Sequence, residues 1–165
     1  MCYSLPTDKC KAVSDILPSP LLRYTIFGPK VGVSEVMSGW DLVLQQFVDD
    51  CVERQIADPR AALTDFAGII DLAPPEFAEL FERSITTKRL DELCGVEAYL
   101  CAAIELVGPY CGILVTRSAT GSASALVSIS GEVEEGNFFG DDPTITLLAA
   151  CARALLLLKA APRCH

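Results

Sequence analysis

Residues 144–160 read TITLLAACARALLLLKA, and they constrain the fold more than any other segment of the 165-residue chain. Asp142-Pro143 just before them supplies a helix N-cap and a proline suited to the first turn. Leucine and alanine then face nearly every direction. A helix apolar on all sides must be covered on all sides, either by the rest of the chain or by another subunit. A bilayer span needs about 20 predominantly apolar residues, whereas Arg153 interrupts this segment and Pro162 closes it. It therefore reads as a core helix.

The cover has to come from upstream. Residues 112–118 and 123–130 are rich in β-formers and joined by the small polar connection Ala119-Thr120-Gly121-Ser122, the pattern of a hairpin. Residues 132–140 read as an acidic, glycine-bearing loop. Ser38 and Asp41 form a capping box ahead of Leu44, Phe47, Val48, Cys51 and Val52, which recur at helical spacing opposite Gln45, Gln46, Asp49, Asp50 and Glu53. Asp58-Pro59 opens a second helix through Leu63, Phe66 and Ala67 toward Ile70, and a third begins near Pro74-Pro75 with Phe77, Leu80 and Phe81. The spacing predicts one long helix over 87–107, with Leu90, Leu93, Cys94, Leu100, Cys101 and Ile104 on its apolar side, ended by Gly108-Pro109. Residues 1–20 read as an irregular arm, and 21–27 with 31–36 as a short hairpin about Gly28-Pro29-Lys30.

The expectation is a single-domain α+β protein over 1–165. A helical region at 38–107 leads to a β-hairpin and a buried C-terminal helix at 110–160, with a small antiparallel sheet.

The only histidine is His165, the last residue. Ser/His/Asp hydrolysis, Cys/His proteolysis and His-ligated metal catalysis all need an imidazole held in place by its surroundings, which a chain terminus does not offer. The net charge of −9 argues against nucleic acid and anionic membrane, both of which attract Lys and Arg. The charge is concentrated in the middle. Residues 1–37 sum to +1, 38–58 to −4, 59–107 to −5 and 108–165 to −1.

Eight cysteines stand at 2, 10, 51, 94, 101, 111, 151 and 164 without a CxxC pair, so zinc is not expected, nor any other metal or cofactor. Residues 1–20 hold no uninterrupted apolar core of signal-peptide length, and several cysteines fall at apolar helix positions. Reduced, buried thiols in a cytoplasmic protein are the expectation. As a lone nucleophile, Cys111 would depend on Arg117 for its thiolate. The Arg117–Ser122 connection lacks the ending of a phosphate loop and reads as a solvated turn.

Residues 62–90 hold an alanine within the first helix (Ala67), a turn near Asp71 and Leu72, Ala73-Pro74 before the next helix, and Phe77, Leu80 and Phe81 as a core. This segment resembles the helix-turn-helix unit of AraC-type transcription regulators. The resemblance implies DNA reading by the second helix. There the chain presents Glu76, Glu79 and Glu82, and it has Asp71 where the family has glycine. Carboxylates at that surface repel phosphates.

The remaining charged groups suggest two further arrangements. Glu132, Glu134, Glu135, Asp141 and Asp142 form an acidic cluster with the chemistry of an oxygen-ligand or acid-base site but not the spacing of an EF-hand. Glu97, on the apolar side of the helix expected over 87–107, and Arg153, in the middle of the last helix, are expected to pair with each other or with other partners.

The leading expectation is a non-enzymatic acidic module that docks a basic or neutral protein partner as inhibitor, adaptor or chaperone. Asp49, Asp50, Glu53, Glu76 and Glu79 would supply the charge, and Trp40, Phe138 and Phe139 the aromatic anchors. Homodimerisation is compatible with this reading. The two alternatives are a transcription regulator using 62–90 and a small enzyme using carboxylates or Cys111.

Overall fold

Among the described residues, five helices precede a three-stranded antiparallel sheet and a sixth helix follows it. The computed structural model describes residues 39–81, 85–129 and 135–160. The expected arm at 1–20, the hairpin at 21–36, Ser38, Glu82, Glu132, Glu134 and His165 lie outside them. The elements are α1 (Gly39–Val52), α2 (Pro59–Asp71), α3 (Pro75–Phe81), α4 (Thr87–Gly95), α5 (Tyr99–Val107), β1 (Cys111–Arg117), β2 (Ala123–Ile129), β3 (Glu135–Gly140) and α6 (Pro143–Ala160). The α+β expectation holds.

Helix α6 is the core. It packs against β2, β3 and β1 of the sheet and against α1, α5 and α2 of the helical region. Residues 144–152 are all buried, as are Ala154 and Leu155. Over 144–155 the cover that an all-round apolar helix requires thus comes from within the chain, while Leu157 near its end is exposed. No helix among the described residues is long and apolar enough to cross a membrane. The start of α6 is set by Asp142, whose carboxylate accepts from the Thr144 and Ile145 amides at 2.8 and 3.0 Å.

The acidic loop expected at 132–140 is replaced in part by a third strand. β2 pairs β1 on one side and β3 on the other, with Val127 opposite both Ile113 and Gly136. The inner face alternates: Ala123, Ala125, Val127 and Ile129 are buried, while Ser124, Leu126 and Ser128 are half-buried on the other face. The same alternation separates Phe138 from Phe139. Phe138 lies opposite Ala125 on the buried face, and Phe139 opposite Ser124 on the outer one.

The helix expected over 87–107 is two helices, and this corrects three side-chain placements. α4 ends with Glu97 in the left-handed region (φ 58°), the Ala98 amide donating to the Leu93 carbonyl at 2.9 Å and the Glu97 amide to Cys94 at 3.2 Å. These bonds form a Schellman cap, a stop usually marked by glycine. The break resets the helical phase. In α5, Ala102, Ala103, Leu106 and Val107 are buried, whereas Cys101 and Ile104 are exposed. Glu97 is exposed in the break rather than paired with Arg153. Across the break, the Arg89 guanidinium of α4 grips the Glu105 carboxylate of α5 through two hydrogen bonds at 3.1 and 3.3 Å.

Candidate partner-binding groove

Helix α1 buries one face and leaves a second apolar strip in solvent. Leu44, Phe47, Val48 and Cys51 point into the core, and Phe47 meets Phe66 of α2 with ring centres 5.3 Å apart. Leu42 and Val43 fall off that stripe and are 56% and 40% exposed. Four and eight residues on from Leu42, at helical spacing, come Gln46 and Asp50, joined by a 2.7 Å hydrogen bond from the Gln46 amide to the Asp50 carboxylate.

Facing this strip, α2 presents Thr64, Asp65 and Gly68, and Leu72, the residue capping its end, is 68% exposed. A Cβ built on Gly68 would meet nothing within 4 Å. The missing side chain keeps the space open. Between the helices lies a groove of about 590 Å³ with a floor of Phe47, Ile56 and Ile69. Among the described residues its walls carry two carboxylates, Asp50 and Asp65, and no cation. Asp49 on α1 and Glu53 just past its end are exposed nearby.

A second cleft of about 410 Å³ lies between the end of α1 and the β3–α6 junction. Its charges are balanced. Arg54 pairs with Asp141 at 3.1 Å, Asp142 is engaged as the cap of α6, and Arg153 contributes a second cation. The Arg153 guanidinium donates to the Asn137 carbonyl at 2.9 Å and lies 4.9 Å from the Phe138 ring centre. These interactions take the place of the expected Glu97 pairing. Among the described residues no cluster of Cys, His, Asp and Glu has the arrangement to hold a metal ion.

The expected contact residues therefore divide. Asp50 lines the acidic groove, with Asp49 exposed on the same helix and Glu53 exposed just past its end. Glu76 is exposed on α3, and Glu79 belongs to the same helix. Phe139 is 76% exposed beside the second cleft. Trp40 and Phe138 are corrections: each is about 5% exposed, so neither offers a surface anchor. Trp40 is held inside because its indole N–H donates to the Ile69 carbonyl at 2.8 Å and its ring meets Phe77 at 4.9 Å. Phe138 is held inside by strand alternation. No protein-family model matches this chain, and no curated protein or solved structure matches it.

Sequence reasoning missed Leu42, Val43, Asp65, Gly68 and Leu72. The available signal was weak. Leu42 and Val43 are surplus apolar residues on a helix whose core stripe is already complete without them.

Proposed function

We propose that this chain is a non-enzymatic, acidic binding protein that receives a basic amphipathic segment of a partner protein in the α1–α2 groove. One observation carries the reading: exposed Leu42, Val43 and Leu72 adjoin Asp50 and Asp65 in a groove that holds no cation among the described residues. Apolar side chains of a partner would gain from leaving water there, and its Lys or Arg residues would meet carboxylates at the walls. The groove is lined by apolar residues and carboxylates rather than by a nucleophile with its base. That composition favours holding a partner over transforming a substrate.

The partner is basic or neutral, and the reading places the protein in the cytoplasm, where the free thiols of Cys51, Cys94, Cys101, Cys111 and Cys151 persist. The two alternatives draw less support. Helix α3, the counterpart of a recognition helix, spans seven residues, contains no Lys or Arg, and turns Phe77 and Phe81 inward. Arg117 stands six residues along β1 from Cys111, about 20 Å away by strand geometry, too far to stabilise its thiolate.

The test uses a fluorescent amphipathic helix of Leu and Lys, with a Leu and Glu peptide as control. The cationic peptide is expected to bind, more weakly at about 0.5 M than at about 0.1 M salt as screening shortens. Binding should fall at least about tenfold in the Asp50→Lys/Asp65→Lys variant. Gly68→Trp, which fills the groove, should also remove it. Equal affinity for both peptides, or unchanged affinity in the variants, overturns the reading.

A further inference from the structure

The two edges of the sheet differ. The Ser118 amide donates to the Ser122 carbonyl at 2.8 Å, which sets the alternation along the hairpin. Gly112, Leu114 and Thr116 turn their backbone groups toward β2, and Cys111, Ile113, Val115 and Arg117 turn theirs to the outer edge of β1. By the same alternation Glu135, Asn137 and Phe139 turn theirs outward from β3. One acceptor of that edge is taken, because the Arg153 guanidinium donates to the Asn137 carbonyl at 2.9 Å. Among the described residues, nothing pairs with the outer backbone groups of β1. Its side chains are also incompletely covered. Ala125, Val127 and Ile129 of β2 are buried, whereas Val115, Ile113 and Cys111, their neighbours on the same face, are only half-buried, and Leu114 on the opposite face is 59% exposed.

We propose that β1 is the interface of a homodimer, in which the β1 of a second copy adds antiparallel to this edge about a two-fold axis beside Leu114 and makes one continuous sheet of the two. The strand is complementary to itself in that register. Ile113 comes opposite Val115 of the second copy, and Val115 opposite its Ile113, so the outward donors and acceptors of each strand meet those of the other. The same four side chains cover one another on the half-buried face. On the opposite face Leu114 meets its own equivalent, and both leave water. Arg117, the one charge on β1, falls opposite Cys111 of the second copy rather than opposite another cation. Charge also favours a second copy as the occupant. Residues 108–165 sum to −1 of the total −9, so two copies that meet here join through the nearly neutral part of an acidic chain. β1 carries none of the devices that keep an edge unpaired, having no proline, no lysine and no bulge in its register with β2. It lines neither the α1–α2 groove nor the second cleft, so the dimer does not depend on the function proposed for the groove.

Sedimentation equilibrium of the full-length reduced chain, over a range of concentrations, is the test. A reversible monomer–dimer equilibrium is expected, not weakened between about 0.1 and 0.5 M salt because no ion pair holds it. Val115→Pro removes an outward N–H without touching the bonds to β2. Leu114→Lys sets two cations against each other across the axis, on an exposed face. Each should shift the equilibrium at least about tenfold toward monomer while the far-UV circular dichroism stays unchanged. Mixing Leu114→Lys chains with Leu114→Glu chains should restore the dimer, because position 114 meets its own equivalent. Should Val115→Pro fail to fold, Leu114→Lys and its rescue decide. Three results would overturn the assignment. One is a parent chain that is monomeric at every concentration, its edge covered by another segment or kept for a different protein. The others are a dimer that Leu114→Lys leaves intact, and a Lys/Glu mixture that stays monomeric.

Discussion

Gly136 of β3 lies so close to Ala154 of α6 that a methyl group has no room between them. A Cβ at Gly136 would run into the backbone of Ala150 and Ala154, which cannot swing aside as a flexible side chain would. This contact sets how closely the central helix sits on the sheet. Gly136→Ala must push helix and strand apart, and a destabilisation of about 2–3 kcal/mol is expected. Urea denaturation of the variant beside the parent measures it, and an unchanged midpoint would show that the layers adjust freely.

The two aspartate caps should differ in strength. Asp142 accepts at 2.8 and 3.0 Å in a partly buried setting, whereas Asp58 accepts from the Arg60 and Ala61 amides at 3.2 Å in an exposed one. Asp142→Ala is expected to cost about 1–2 kcal/mol and Asp58→Ala about half as much. Thermal unfolding of both variants gives the order. Equal losses would mean that burial of the cap does not matter here.

Glu97 occupies a left-handed position that glycine adopts without strain. Glu97→Gly should therefore stabilise the chain by about 0.5–1 kcal/mol, while Glu97→Ala, which keeps the Cβ, should change little. A rise in Tm for glycine alone supports the strained cap. A rise for alanine alone would indicate a helix that runs through.

Burial, with the Asp50 carboxylate beside it, pushes the Cys51 thiol up from 9.0 to about 12. The folded chain keeps this proton at a pH where the unfolded chain has released it. The thiol's contribution to stability is complete below the unfolded value and is lost as pH rises toward about 12. At about pH 9, iodoacetamide should label exposed Cys101 well before Cys51. Cys51→Ala should show a shallower fall in the urea midpoint above that pH. An equally steep fall would remove Cys51 as a source of alkaline sensitivity.

The caps, the core helix and the hairpin were legible in the sequence because each rests on local chemistry. Asp58-Pro59 and Asp142-Pro143 mark helix starts by side-chain reach alone, and both carboxylates accept the amides that this reach allows. The stop at Glu97 was not legible, because its left-handed backbone carries no glycine to announce it. Once that break was missed, helical phase carried the error forward to Cys101 and Ile104.

Of the candidate groove, the acidic face of α1 was legible from its spacing, whereas the α2 wall of Asp65, Gly68 and Leu72 was not. The sequence by itself determined which residues are apolar, where helices begin, and that residues 144–160 must be surrounded. Only the tertiary structure decided that β3 completes the sheet and that Phe138 turns inward while Phe139 stays in water. Those outcomes depend on strand register and on the packing of distant elements, and neither is encoded in the spacing of neighbouring residues.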